Sequence, residues 1–426
     1  MLHQLSLVLA PVFCAAVPQY APSSSGQAVG NFKGLGNGLN FNFTPSDTPQ
    51  PFLVDVDPDF IATTRLKAEL YRPSRDISQL DWTDGPPAHN LSNVQQYWVQ
   101  NYSWFDVQAA LNKKYTQYTT TVSAGPNFTE PVHLHFAHQR SNSSDAIPLL
   151  LLHGWPSSFL EWDSVIESLA SPPNASLPSF HAVAPDLPAF GFSPAPTVPG
   201  LGSREMGQAL DKLMKQLGYE KYAIYTTDLG SFIGRWMLHD AVDSIVSRLT
   251  DFDFVAPNTN DLERYAANQT TQEENAFLER YEPFENMDEG YIAIHTTRPL
   301  ALTEALADSP MGFLAWMWNL RHSVSGLEPY TPQELITDTM MLFIQGPYGN
   351  VRSYKGFWME GALNDTAYPS SNIPTGVTRW PSGPSELNDP FDFVVSEKLA
   401  NPGAVEADSC NSRYRGSNAQ PMSRFQ

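Results

Sequence analysis

From Ile147 to about residue 256 apolar runs alternate with amphipathic stretches in a regular way. Ile147–Leu152 is a continuous apolar run, the pattern of a strand buried on both faces, and His181–Ala184, Tyr222–Thr226 and Ile245–Val255 read as further strands. Between them, Leu160–Leu169, Glu205–Leu217 and Gly230–Val242 carry apolar residues at helical spacing. Strand and helix in strict alternation predict a mostly parallel sheet with helices on both faces, an α/β fold. Upstream, Pro131–His138 alternates Val132, Leu134 and Phe136 with His133 and His135, a half-buried strand, and Leu91–Lys114 reads as helix with breaks. Downstream, Asn258–Tyr281, Leu302–His322 and Pro332–Phe343 read as helices with no strand of similar strength between them. They predict an inserted helical lid over the carboxyl edge of the sheet, where open α/β sheets bind ligands.

The pattern divides the chain into a signal peptide (1–17), a flexible Ser/Gly/Pro-rich leader (18–50) and an N-terminal segment (51–130). After these come the α/β core (131–256), the lid (257–350), a partial return to the core (351–398) and an atypical polar tail (399–426). Leu5–Val17 has the length of a signal-peptide apolar region, with Ala15, Ala16 and Val17 as small residues for cleavage; no basic residue precedes it. Asn-x-Ser/Thr sites at Asn42, Asn90, Asn101, Asn127, Asn142, Asn174, Asn268 and Asn364 agree with passage through a secretory compartment. The expected location is extracellular. No apolar run reaches the roughly 18 residues of a membrane span. Cys14 and Cys410 are the only cysteines, so neither a disulfide framework nor a zinc site is expected. A net charge of −20 excludes the basic face that nucleic acid or an anionic membrane surface requires.

Two junctions carry chemistry. At Thr226-Thr227-Asp228-Leu229-Gly230 a strand turns sharply into a helix. Asp228 there is either an ordinary N-cap or a nucleophile presented on an elbow, where G-x-S-x-G enzymes place serine. Small residues on both sides, Thr226 and Gly230, meet the elbow's need for close backbone approach. The second junction, His153-Gly154-Trp155-Pro156, is either a plain turn or one that sets the N–H of Trp155 beside that of Leu229, two donors for one oxyanion.

Together with Pro185-Asp186-Leu187-Pro188-Ala189-Phe190-Gly191-Phe192-Ser193, GYIAIHTTRP, DSPMG, Asn350-VRSYKGFW and the upstream segment NVQQYWVQNYSWFDVQAALN, these motifs resemble the epoxide hydrolases of the α/β-hydrolase superfamily. The likeness is to the microsomal and juvenile-hormone branch, and it runs from about Phe52 to about Pro390. The resemblance implies an α/β-hydrolase fold with an inserted lid and no cofactor or metal. An epoxide and water would be the substrates and a vicinal diol the product. It also implies Asp228 as nucleophile forming an alkyl ester, Tyr291 and Tyr354 as proton donors, Trp155 and Leu229 as oxyanion hole, and a histidine with a carboxylate as the base of ester hydrolysis. A carboxylate can open a strained ring and leave an ester that water cleaves, so one hard step becomes two easier ones.

The chain departs from this pattern near its end. Pro374-Thr375-Gly376 with Trp380-Pro381 matches the loop before the family's relay acid, but the acidic position falls on Gly383, and Glu386 is the nearest acid. The base histidine is not found: none follows His322, and the polar stretch from Leu399 reads as intron-derived or wrong-frame sequence. His153, His239, His295 and His322 are the candidates to replace it. The expectation is therefore an epoxide hydrolase whose hydrolytic half is impaired. The alternatives are a catalytically dead or single-turnover epoxide-binding homologue and a haloalkane dehalogenase-like hydrolase. In the latter, an indole donor commonly follows the nucleophile, where this chain has Leu229.

Overall fold

A computed structural model describes residues 39–78, 80–252, 257, 259–272, 274–275, 278–279, 290–324, 330–360 and 371–377, and the backbone of 404–406. Nine strands form one sheet: β1 Gln50–Phe52, β2 Gln117–Ser123, β3 Pro131–Gln139, β4 Ile147–Leu152, β5 Phe180–Pro185, β6 Tyr222–Thr226, β7 Ile245–Thr250, β8 Thr375–Val377 and β9 Ala404–Glu406. Their order is β1-β2-β3-β5-β4-β6-β7-β8-β9. The first three pair antiparallel, β3 meets β5 antiparallel, and from β5 onward every neighbour is parallel. The central strands are apolar throughout because each faces two cores. Leu150, Leu152, Val183, Tyr222 and Ile224 point into one of them, with helices α5 (Ser203–Gln216) and α6 (Asp228–Asp240). Leu149, Leu151, Ala182, Ala184 and Ala223 point into the other, with α2 (Ala88–Gln100) and α3 (Trp104–Lys114).

The helices expected at Glu205–Leu217, Gly230–Val242 and Pro332–Phe343 are present. The Leu91–Lys114 stretch is two helices, α2 and α3, because Ser103 accepts the Asp106 N–H and caps a new start. The stretch at Leu160–Leu169 is a 3₁₀ turn, Phe159–Trp162, followed by the short α4, Ile166–Ala170. The described residues of 257–350 are mainly helical, with α7 (Thr259–Ala266), α8 (Gly290–Thr297), α9 (Pro299–Asp308), α10 (Pro310–Val324) and α11 (Pro332–Phe343), then α12 (Pro347–Lys355); part of the helix expected at Asn258–Tyr281 beyond α7 lies outside the described residues. Leu302–His322 is broken at Pro310, which has no N–H to continue α9 and starts α10 instead.

Three expectations are corrected. The leader is not loose as far as residue 50: Phe41 is buried, bridges to Val56 and packs edge-on against Phe52 and Phe192 at 6.3 and 5.3 Å. One aromatic anchor outweighs the polar composition around it. The N-terminal segment is not separate from the core, since β1 and β2 extend the sheet and α1 (Pro58–Glu69) and α2 pack on lid helices α10 and α11. Trp82 stacks on His322 at 3.5 Å, Lys67 pairs with Asp308 at 2.7 Å, and the Tyr97 hydroxyl donates to Gln333. The tail adds a strand, β9, parallel to β8; backbone pairing needs no apolar periodicity. Among the described residues no helix is long and apolar enough to cross a membrane.

The loop after β5 is held by one buried carboxylate. Asp186 accepts from Phe159 N–H at 2.8 Å, Phe192 N–H at 2.9 Å and His135 Nδ1 at 2.8 Å, with His135 Nε2 on Gln117 Oε1 at 3.1 Å. It ties β3, the turn after Trp155 and the β5 loop together. Asp186→Ala leaves three buried donors unpaired and is expected to cost about 3–5 kcal/mol, read as a lowered urea midpoint.

Candidate active site

β6 ends at Thr226, Thr227 is extended, and Asp228 opens α6 in the left-handed region with φ 43°. An L-residue there is strained by roughly 1–2 kcal/mol. The cap position belongs to Thr227, and no side chain caps the helix. The Asp228 carboxylate instead turns back over the sheet edge. Its Oδ1 accepts the Trp155 N–H at 2.7 Å, and the carboxylate also accepts the N–H of Leu229. Asp228 is therefore not a cap.

Both junctions need their glycines. A Cβ on Gly154 would overlap the Asp228 side chain, and one on Gly230 would lie 2.6 Å from Leu152 O and 2.8 Å from His153 O. The turn carrying Trp155 is fixed from three sides. His153 is wholly buried; its Nε2 accepts the Leu187 N–H at 3.1 Å, so Nδ1 carries the proton and donates to Gly154 O at 2.9 Å. Arg321, in a buried pair with Asp338, donates to Pro156 O at 2.7 Å. The Trp155 indole donates to Asn350 Oδ1 at 3.0 Å, and Asn350 donates onward to Leu342 O.

The lid supplies the opposite wall. Tyr291 on α8 and Tyr354 on α12 have hydrogen-bonded hydroxyls and ring centroids 5.7 Å apart. Both rings face Trp155, at 5.9 and 6.0 Å, and Asp228 acts electrostatically on Tyr354. Tyrosine residues from helices some sixty positions apart thus meet above the elbow. His295, one turn along α8 from Tyr291, completes the aromatic wall, 4.8 Å from Trp155 and 4.9 Å from Tyr354.

Asp228 keeps some accessible surface, but its surroundings are protein on every side. Burial raises its pKa to about 6 against the pull of the two backbone N–H groups, and the charges of Glu161 and Asp251 add to the rise. Burial and the neighbouring Tyr291 and Asp228 raise the Tyr354 phenol, which keeps its proton at neutral pH.

The sequence places Asp228, Trp155, Leu229, Tyr291 and Tyr354 in one family pattern, and the structure brings all five together. Glu386 lies outside the described residues. Thr375 and Gly376 of the Pro374-Thr375-Gly376 motif lie in strand β8, which runs parallel to β7. Asp251, just past β7, was not singled out in the sequence; it bonds the Tyr225 hydroxyl and adds its charge to the site. Asn350 and Arg321 were also missed as supports of the turn, since no local pattern marks a side chain that reaches a distant carbonyl.

None of the histidines weighed as a substitute base is wired as one. His153 has both nitrogens engaged within the turn, and His239 bonds Asp240 at the surface. His322 stacks on Trp82, and His295 spends its Nε2 lone pair on the Trp316 indole N–H at 2.9 Å. The Trp155 indole N–H, which a halide site would draw on, is taken by Asn350. Among the described residues no cluster of His, Cys, Asp and Glu could hold a metal.

Residues 49–162 match the family described as epoxide hydrolase N terminus, and residues 147–326 the alpha/beta hydrolase fold. A Stigmatella aurantiaca protein is 30% identical over 272 residues, which cover 63% of this chain and 59% of that protein's length. Juvenile hormone epoxide hydrolase 2 of Ctenocephalides felis is 24% identical over 378 residues, 82% of this chain and 78% of that one. The solved Aspergillus niger epoxide hydrolase superimposes with a TM-score of 0.69 at 22% identity, covering 87% of this chain and 91% of that one. The Bombyx mori juvenile hormone epoxide hydrolase gives 0.67 at 22%, covering 85% and 87%. At these identities the two structures establish the fold.

A buried carboxylate pushed to pKa about 6 is a stability cost that a cap would not carry. The native state binds the Asp228 proton more tightly than the unfolded chain, where the carboxyl has its ordinary value of 3.8, so stability falls as pH rises from about 4 to 6. Asp228→Asn removes that cost and is expected to stabilise the fold by about 1–3 kcal/mol above pH 7, the gain shrinking below pH 6. Paired denaturation curves at pH 4 and 7.5 measure it; an unchanged difference fits a cap.

Proposed function

We propose that this chain, which belongs to the epoxide hydrolases of the α/β-hydrolase superfamily, opens an epoxide through a covalent ester on Asp228 and so begins its conversion to a vicinal diol. The observation that carries this reading is the carboxylate held by two backbone N–H groups directly beneath a hydrogen-bonded tyrosine pair. One carboxylate oxygen attacks a ring carbon, the C–O bond on that carbon breaks, and its electron pair stays on the former epoxide oxygen. Tyr291 and Tyr354 hydrogen-bond that oxygen and supply its proton, without which an alkoxide is a poor leaving group. The product is a hydroxyalkyl ester of Asp228.

In the second half, water attacks the ester carbonyl carbon. The oxygen that becomes negative would be Oδ1, which already accepts the Trp155 N–H, with the Leu229 N–H on the same carboxylate, so the oxyanion hole is in place before the charge develops. Collapse breaks the bond between the carbonyl carbon and the alkyl oxygen, releases the diol and restores the carboxylate. The attacking water must lose a proton to a base, and the histidines compared above do not present one. Loss of a general base slows such a step by about 10²–10⁴-fold. Ring opening then outruns ester hydrolysis in this 426-residue chain.

Incubation with styrene oxide is expected to add close to one equivalent of mass to the intact protein, with no adduct in Asp228→Asn. The alkylation rate should rise with pH through about 6, as Asp228 ionises, and level above it. Diol formation over many turnovers would show that a base acts; the absence of both adduct and diol would reject the assignment of Asp228.

We further propose that the chain is secreted and glycosylated. The apolar Leu5–Val17 run supports this, as does the exposure of Asn42, Asn101, Asn127, Asn142, Asn174 and Asn268. Asn174 sits in an Asx turn, its side chain accepting the Ser176 N–H at 2.9 Å, in a Pro/Ser-rich surface loop. Enzymatic deglycosylation of protein secreted by a eukaryotic host should lower its mass, and its first residue should lie near Pro18; an unchanged mass rejects the proposal.

A further inference from the structure

His295 is a wholly buried polar side chain in the wall of the site. Its Nε2 receives the indole N–H of Trp316 at 2.9 Å. An indole nitrogen can only donate, so Nε2 must be the acceptor and the single proton of the neutral ring sits on Nδ1. That Nδ1 has no hydrogen-bond partner in the protein. Burial lowers the ring's pKa to about 3, so the imidazole stays neutral wherever Asp228 is ionised. The remaining rings beside His295 are Trp155, Tyr354 and Tyr291, at 4.8, 4.9 and 5.5 Å; the Trp155 N–H bonds Asp228, whose charge acts on Tyr354. A buried donor left unpaired is costly and persists where something else supplies its acceptor.

We propose that His295 Nδ1–H is a specificity-determining donor that recognises an uncharged oxygen acceptor on the epoxide, a carbonyl carried on or next to the ring carbon. The inference rests on the epoxide-opening role of Asp228 and adds to it the kind of substrate. A neutral donor among aromatic faces, in contact with the Trp155 and Tyr354 that adjoin an ionised Asp228, selects a carbonyl over a carboxylate, which the Asp228 charge repels and a neutral imidazole cannot offset. The same wiring explains why His295 does not serve as a base: its one lone pair is already held by Trp316. Glutamine can take over both roles, its carbonyl accepting from Trp316 and its amide donating, whereas leucine can take neither.

The test compares wild type, His295→Leu and His295→Gln with two epoxides of matched shape, 2,3-epoxy-1-phenylpropan-1-one and 2-benzyloxirane, which differ by a carbonyl in place of a methylene. The readout is the rate of adduct formation by intact mass, and the ratio between the two epoxides is compared across variants, so that intrinsic reactivity cancels. His295→Leu is expected to lower the carbonyl-to-hydrocarbon ratio by about 10-fold, the worth of one hydrogen bond, and His295→Gln to restore most of it. An equal loss on both epoxides marks a packing role and overturns the proposal, as does an unchanged ratio, which is the result if the Nδ1–H merely rests on the face of Trp155. If neither epoxide alkylates the wild type, the role of Asp228 fails, and binding still decides His295. Butyrophenone and butylbenzene, titrated by tryptophan fluorescence, should then show a ketone preference in wild type that His295→Leu abolishes. A wild type that binds both alike overturns the proposal.

Discussion

The N–H groups of Trp155 and Leu229 point at one carboxylate, and much of the molecule is arranged so that they can. A carboxylate carried on a left-handed residue and raised to pKa about 6 is unfavourable on both counts. It persists because the surroundings leave it no other place. The parallel pairing of β4 with β6 sets the two turns side by side, and Gly154 and Gly230 let them touch. His153, Arg321 and Asn350 then pin the Trp155 turn from the β5 loop, the lid and α12.

The lid is held by more than its contact with the sheet. Its helices lean on α1 and α2 of the N-terminal segment through the Trp82–His322 stack, the Lys67–Asp308 pair and the Tyr97–Gln333 bond. The exposed ion pair contributes little by itself; the aromatic stack and the shared apolar core carry more. This is a physical reason for an N-terminal segment with no catalytic group of its own. It braces the lid whose helices α8 and α12 bring Tyr291 and Tyr354 together.

The arrangement separates the chemistry into two parts with different supports. The proposed ring opening draws on Asp228, Tyr291 and Tyr354, all among the described residues. The proposed ester cleavage would use the same N–H groups that hold the Asp228 carboxylate, yet the histidines weighed as replacements for a base are committed elsewhere. His295 shows how such commitment is decided: a single indole N–H turns an imidazole from a base into a donor.

The sequence by itself determined the layers. Apolar runs at β4, β5 and β6 and helical spacing in α5, α6 and α11 are local signals, and their alternation left one fold class. It also placed Asp228, Trp155, Leu229, Tyr291 and Tyr354 through motifs that keep their spacing along the chain. Other features follow from long-range contacts and have no local signature. Phe41 docks a stretch whose composition reads as loose, β1 and β2 join a sheet that their own segment does not announce, and β9 pairs without apolar periodicity. The question left open at Asp228, cap or nucleophile, was of that kind. Propensity allows both, and only the fold, by putting Trp155 N–H 2.7 Å from the carboxylate and the cap at Thr227, sets the cap aside. The donor on His295 was decided in the same way, because a tautomer is chosen by the neighbour across the pocket and not by the residues beside it in the chain.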